Sequence, residues 1–143
     1  MTNDVLAQSV KIRPGLPSDI EPCPRILFKA FGTIAAHHNF PPDIPSIEVG
    51  TELMTMLLTH PHFFSVVAEL DGKIVGSNFL DERSAIAGVG PITVEPTIQN
   101  RGVGRRLMEA VLNRASEKAH TGVRLLQSAY HGRSLALYST LGF

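Results

Sequence analysis

Pro91-Ile92-Thr93-Val94-Glu95-Pro96-Thr97-Ile98-Gln99-Asn100-Arg101-Gly102-Val103-Gly104-Arg105-Arg106-Leu107-Met108 runs from a β-branched stretch, through a proline stop and two glycines, into a helix-forming stretch. Ile92, Thr93 and Val94 suit a strand, and Pro96 ends it because proline has no N–H to offer a ladder. Gly102 and Gly104 carry no Cβ, so an anionic ligand can come close to the backbone there. The helix that follows turns unpaired N–H groups and the positive end of its dipole toward the same point. Arg101, Arg105 and Arg106 add charge. A pyrophosphate fits this description. The stretch is not a Walker A loop, which needs Gly-Lys-Ser/Thr, nor a G-x-G-x-x-G fingerprint, because Leu107 stands where the third glycine would be. Taken alone, the same residues also describe a plain helix start with solvated arginines.

Working outward, Val103, Leu107, Val111 and Ala115 fall four apart and mark a helix from Gly102 to about His120. Val123 to Ala129 reads as a strand and Ser134 to Leu141 as a helix capped by Gly142. Upstream, Val10 to Arg13 alternates with period two and stops at Pro14-Gly15. A helix follows, with Ser18 or Asp19 as its cap and its regular part beginning near Pro24. Phe40 to Pro45 holds three prolines and is a loop, and Ile47 to Leu58 is a second, weaker helix. Phe63 to Leu70 and Lys73 to Leu80 form a hairpin about Asp71-Gly72, and Gly88 to Glu95 is a further strand. The order β-α-α-β-β-β-α-β-α predicts a mixed, largely antiparallel α+β sheet flanked by helices and excludes a simple doubly wound Rossmann sheet.

The chain has 143 residues, 13 basic and 13 acidic, and is 43% hydrophobic. That suits one globular domain and not a disordered chain. Zero net charge argues against a protein devoted to nucleic-acid phosphates, even with Arg101, Arg105, Arg106 and Arg114 on one segment. One cysteine, Cys23, allows no internal disulfide, and it sits on an apolar helical face, which suits packing and not nucleophilic chemistry. Met1 to Val10 lacks a basic-then-apolar leader pattern, and no segment approaches the roughly 20 apolar residues of a membrane span. The expectation is a soluble, cytoplasmic protein without membrane or nucleic-acid partners.

Gln99-Asn100-Arg101-Gly102-Val103-Gly104 resembles the Q/R-x-x-G-x-G/A signature of the GNAT acetyltransferase superfamily, the acyl-CoA-dependent N-acyltransferases, and Val94-Glu95-Pro96 resembles the ending of the strand before it. His131-Gly132-Arg133-Ser134-Leu135-Ala136-Leu137-Tyr138-Ser139-Thr140-Leu141-Gly142-Phe143 is similar to the family's later motif, with its Leu-Tyr-x-x-x-Gly-Phe core, one helix and one strand further on. The resemblance covers about residues 10 to 143. It implies acetyl-CoA as co-substrate, no metal, and transfer of the acyl group to a primary amine by direct attack in a ternary complex. It further implies that the backbone of Ile92, Thr93 and Val94 pairs with the pantetheine arm. Amides from Gln99, Asn100, Arg101, Gly102, Val103 and Gly104, with Arg105, would hold the pyrophosphate. Tyr138 would protonate the departing thiolate; its hydroxyl, with an ordinary pKa near 10, is protonated at neutral pH. His131 stands where the family usually has an Asn that bonds the CoA arm.

An amine with a pKa near 10.4 must lose a proton before it attacks. Asp81, Glu82 and Glu95 are the carboxylates on or after the central strands, with Glu82 the first choice as base, directly or through water. His37-His38 and His60-Pro61-His62 lack His-Glu-x-x-His spacing and read as helix-end and loop histidines. The loop from Asn39 to Ile47 and the second helix occupy the region where the family shapes its acceptor pocket, with Phe40, Phe63 and Phe64 as candidate lining. The acceptor itself, a small molecule or a peptide, stays open. A non-catalytic CoA-binding regulatory or interaction module is the alternative. Because the family normally continues past the Gly142 position into two more strands, residues 1–143 read as a single GNAT-like domain that is C-terminally incomplete. The strand Val123 to Ala129 is then an edge open to a second copy or to a strand from another chain.

Overall fold

The computed structural model describes residues 9–143. In chain order its elements are β1 (Lys11–Pro14), α1 (Pro22–His37), α2 (Ile47–Thr59), β2 (Phe63–Leu70), β3 (Lys73–Asp81), β4 (Ile86–Val89), β5 (Thr93–Val94), α3 (Val103–Glu117), β6 (Gly122–Leu125) and α4 (Gly132–Thr140), with 3-10 turns at Pro17–Ile20 and Pro96–Ile98. The reading of the amino terminus as free of a leader pattern falls largely on residues 1–8, outside the described residues. Among the described residues no helix is long and apolar enough to cross a membrane.

The sheet runs β1-β2-β3-β4-β6, with β5 pairing β3 beyond the end of β4. All pairs are antiparallel except β4 with β6. This is the expected α+β architecture. Asp71 and Gly72 both have positive φ, 51° and 76°, which a two-residue type I′ hairpin turn demands. The strand expected over Gly88 to Glu95 is two strands. Pro91 follows a cis bond from Gly90 and has no N–H to donate, so the ladder with β3 breaks there and resumes only at Thr93 and Val94. The strand expected over Val123 to Ala129 is shorter for a linked reason. Its partner β4 ends at Val89, opposite Leu125, and residues 126–128 continue without ladder pairing.

Helix starts follow local chemistry. α1 begins at Pro22, not near Pro24, because both prolines fit a first turn whose N–H groups have no helical acceptor. Asp19 does not cap it. The Asp19 carboxylate accepts from the Leu16 N–H at 2.7 Å and from both terminal nitrogens of Arg13 at 2.9 and 3.0 Å. Burial works to raise its pKa, yet Arg13 and Leu16 hold it below the usual carboxylate value. Ser46 caps α2 by accepting from the Val49 N–H at 3.2 Å.

Alternation along the strands splits the core between two faces. Val66, Ala68, Leu80 and Ala87 meet Leu107 and Val111 of α3. Val67 and Phe79 meet Cys23 and Leu27 of α1 and Met54 and Leu57 of α2. Phe79 is fully buried, so Phe79→Ala would cost about 3–5 kcal/mol. Burial pushes the Cys23 thiol up to about 12, which fits its packing role. β3 and β5 approach closely at Gly76: a Cβ there would lie 2.7 Å from the Thr93 carbonyl oxygen and 3.1 Å from Leu107 Cδ1. Next to it, the Ser77 and Thr93 hydroxyls share a buried hydrogen bond of 3.0 Å.

Candidate active site

The loop between β5 and α3 is shaped by two left-handed residues, Asn100 (φ 64°) and Gly102 (φ 83°), the second being the N-cap of α3. Glycine adopts this conformation without the Cβ penalty of about 1–2 kcal/mol. Gln99 Nε2 donates to the Val94 carbonyl at 3.1 Å, and Arg133 donates to Gln99 Oε1 at 2.7 Å, which ties the loop to β5 and to α4. A cleft of about 230 Å³ opens here, lined by Gln99, Asn100, Gly102, Val103, Gly104 and Arg105 on one side and α4 on the other. The first turn of α3, with its N–H groups and positive dipole end, lies at this cleft. Arg101 is exposed and does not line the cleft. Arg106 turns away to the Val10 carbonyl.

α4 brings Tyr138 and His131 to the same place. His131 is the N-cap of α4: its Nδ1 accepts from the Ser134 N–H at 3.2 Å and lies 2.9 Å from Ser134 Oγ. A backbone N–H can only donate, so Nδ1 is unprotonated and the neutral ring carries its proton on Nε2. Burial, Arg133 and His38 all lower the His131 pKa and keep the ring neutral. Tyr138 is 8% exposed. Burial raises its phenol pKa above the ordinary value, with the Ser134 hydrogen bond working against that rise.

A second cleft, about 700 Å³, lies between α1 and the parted strands. Phe31 and Ile34 of α1, Phe63 of β2 and Ile86 of β4 give it apolar walls. Phe40 stacks on Tyr130 at its rim, with ring centroids 4.7 Å apart and planes 14° from parallel. The two clefts share Ile92, Val94, Gln99, His131, Ser134 and Tyr138. They meet at a buried hydroxyl.

The family model described as acetyltransferase (GNAT) family matches residues 32–143. The chain belongs to the GNAT acetyltransferase family. Solved acetyltransferases share the fold. PaiA N-acetyltransferase from Thermoplasma acidophilum, in complex with coenzyme A, aligns with a TM-score of 0.78 at 15% identity over 94% of this chain and 89% of that one. The aminoglycoside N-acetyltransferase AAC(6')-Iy, in complex with CoA, gives 0.73 at 18% identity over 94% and 87%. An aminoglycoside acetyltransferase from an uncultured soil metagenomic sample, in complex with sisomicin, gives 0.68 at 23% identity over 96% and 90%. No curated protein sequence matches the chain.

For a GNAT acetyltransferase, the carboxylates are the part of the site that the structure rearranges. Glu82, the first choice for the base, lines neither cleft. Arg114 grips it with two bonds of 2.9 and 3.0 Å and, with His120 behind, holds its pKa below the usual value. Glu95 pairs with Lys29. Asp81 lines the larger cleft, where Arg83 binds it through two bonds of 2.9 and 2.8 Å and lowers its pKa. Phe63 lines the cleft beneath the Arg83 guanidinium, whereas Phe64 packs on the α3 side beneath Arg114. Thr93 lines the cleft, yet its hydroxyl is taken by Ser77, its ladder partner on β3. His62 N–H donates to His60 Nδ1, whereas the His37 and His38 rings meet edge to face and His38 packs against Tyr130, ring centroids 5.1 Å apart. Among the described residues no group of three metal-ligating side chains forms. Sequence reasoning missed Tyr130, Ser134, Arg124 and Gln127 as lining residues. Ser134 alone carried a local signal, a small polar residue in the first turn of a helix.

Proposed function

We propose that the chain transfers an acetyl group from acetyl-CoA to a primary amine by direct attack in a ternary complex. The observation that supports this is the junction of the two clefts at Ile92, Val94, His131, Ser134 and Tyr138. A thioester arriving past the α3 loop and an amine arriving past α1 meet beside a protonated phenol. In this reading the amides from Gln99 to Gly104, with Arg105, hold the pyrophosphate, and the backbone of Ile92 to Val94 pairs with the pantetheine arm. The carbonyl carbon gains an N–C bond, the C–S bond breaks, and Tyr138 gives its proton to the thiolate. The raised Tyr138 pKa keeps that proton available well above neutral pH. His131, neutral with its proton on Nε2, offers a donor to the CoA arm where the family usually has an Asn.

The amine reaches the thioester neutral, and its proton leaves through water on the Asp81 side of the cleft. Asp81 is the one carboxylate among Asp81, Glu82 and Glu95 that lines the cleft, and the Glu82 geometry speaks against a role for it as base. Solved relatives bound to CoA, and others named for aminoglycosides, support acetyl-CoA and a small-molecule amine. The test is CoA release from acetyl-CoA over a panel of polyamines, amino acids, aminoglycosides and peptide amino termini, with mass spectrometry of the acetylated product. Turnover of at least one amine is expected. CoA that still binds without release from any amine would replace this reading with a non-catalytic CoA-binding module.

A further inference from the structure

The larger cleft has a charged floor built across four strands. Register pairs Phe63 with Asp81, Asp81 with Gly88, and Gly88 with Arg124. Residues paired this way point to one face of the sheet. It is the α1 face, because the alternate residues Leu80, Val89 and Val123 belong to the α3-side core. All four line the cleft. Gly88 contributes no side chain, so an open strip lies between Asp81 on β3 and Arg124 on β6, whose backbones stand two strand spacings or about 10 Å apart.

The two sides of the strip differ. Arg83 already neutralises Asp81 through two hydrogen bonds. The Arg124 side chain is exposed and has no ion pair or hydrogen bond among the described residues. No other carboxylate among the described residues lines the cleft. With Arg83, Asp81 and Arg124 charged and His131 neutral, the cleft is net positive. Such a field repels an acceptor with several ammonium groups and draws one with an anionic end.

We infer that Arg124, across Gly88 from the Asp81–Arg83 pair, is a specificity residue that selects amine acceptors bearing a carboxylate at the end remote from the reacting nitrogen. The inference rests on the acetyl-transfer reading above. Gly88, the cross-strand neighbour of Arg124, lies four residues and at most about 14 Å before Ile92, where the clefts meet, which sets the scale of the span between amine and carboxylate. Ile86 and Phe63 flank this path and suit an apolar or aromatic spacer. A carboxylate on Arg124 forms a charge-assisted, bidentate pair.

The experiment compares benzylamine, 4-(aminomethyl)benzoate, 1,4-bis(aminomethyl)benzene and spermidine at saturating acetyl-CoA, reading CoA release. The expected kcat/KM for the benzoate exceeds that of the bis-amine by about tenfold or more, the worth of one charged hydrogen bond. Arg124→Gln brings that ratio near one, and Arg124→Glu inverts it. A wild-type enzyme that prefers the bis-amine or spermidine, or an unchanged ratio in Arg124→Gln, overturns the inference while leaving acetyl transfer standing. No release from any of these amines or from the wider panel, with CoA still bound by calorimetry, overturns acetyl transfer itself and this inference with it.

Discussion

The two clefts that meet at Tyr138 are made from different materials. The smaller one has the loop from Ile98 to Arg105 as one wall, facing α4, and that wall presents backbone N–H groups at the start of α3. The larger one gathers residues far apart in the chain, from α1, β2 and β3, from Gly88 to Val94, from Arg124 to Ser128 and from α4, and its charge balance rests on Asp81, Arg83 and Arg124. A backbone-built site depends on conformation, so its weak points are positions where φ is positive. A site built from side chains depends on register, so its weak points are cross-strand partners. The first kind holds a constant feature of a ligand, such as a pyrophosphate, and the second lets the partner molecule vary.

The largest effect should come from the conformational weak point. Gly102→Glu places a side chain at φ 83° and a negative charge on the loop proposed to hold the pyrophosphate. CoA affinity should fall by more than about 100-fold, combining left-handed strain of about 1–2 kcal/mol with charge repulsion at the helix start. Unchanged affinity by calorimetry would remove the loop from cofactor binding. Tyr138→Phe tests the junction. The expected loss in kcat is about 10²-fold with CoA affinity held, and a Phe variant at full rate would take the hydroxyl out of the reaction.

A smaller effect belongs to His131, which serves both clefts through the helix it caps. His131→Ala should destabilise the fold by about 1 kcal/mol, and His131→Asn should restore most of it, because Asn is a good N-cap. The folded-state pKa of His131 is depressed below 6.5, so the unfolded chain binds the proton more readily. Its contribution is therefore complete above about pH 6.5 and is lost as pH falls through the lower, folded value. Urea melts between pH 5 and 8 should show this slope in the wild type and a flatter one in His131→Asn. A melt series identical in both would sever the cap from the pH dependence. The smallest effect is Gly104→Ala. A Cβ there meets Leu137 Cδ2 at 3.6 Å and Val94 Cγ2 at 3.8 Å, ordinary contacts, so CoA affinity should weaken by about threefold or less. A loss as large as that of Gly102→Glu would mean that space, not backbone conformation, limits the loop.

The same division explains what could be read from the chain before its structure. Gly102, Gly104, the four-residue spacing of α3 and the Leu-Tyr pattern of α4 are contiguous, and a contiguous pattern carries its own geometry. The hairpin at Asp71-Gly72 was legible for that reason too. The break between β4 and β5 was also written locally, in Gly90-Pro91, but it sat inside an apolar stretch that reads as one strand. Glu82 shows the other limit. Nothing beside it in sequence announces Arg114, 32 residues away, whose two hydrogen bonds make it a structural tie and not a free carboxylate. Arg124 and Gly88 gain meaning only when the β4–β6 register sets them side by side.

Gly76 lies outside both clefts, yet it bears on how this sequence can drift. The Thr93 carbonyl oxygen is 2.7 Å from where a methyl carbon would stand, so any substitution must push β5 away from β3. β5 carries Thr93 and Val94, which line the larger cleft, and its displacement would carry the junction at Tyr138 with it. In a library of random variants selected for turnover, position 76 should therefore stay as bare as Gly102, while Phe31, Ile86 and Arg124 accumulate replacements. A single hydrogen atom in the middle of a strand sets how far the lineage can wander while its acceptor preferences change around it.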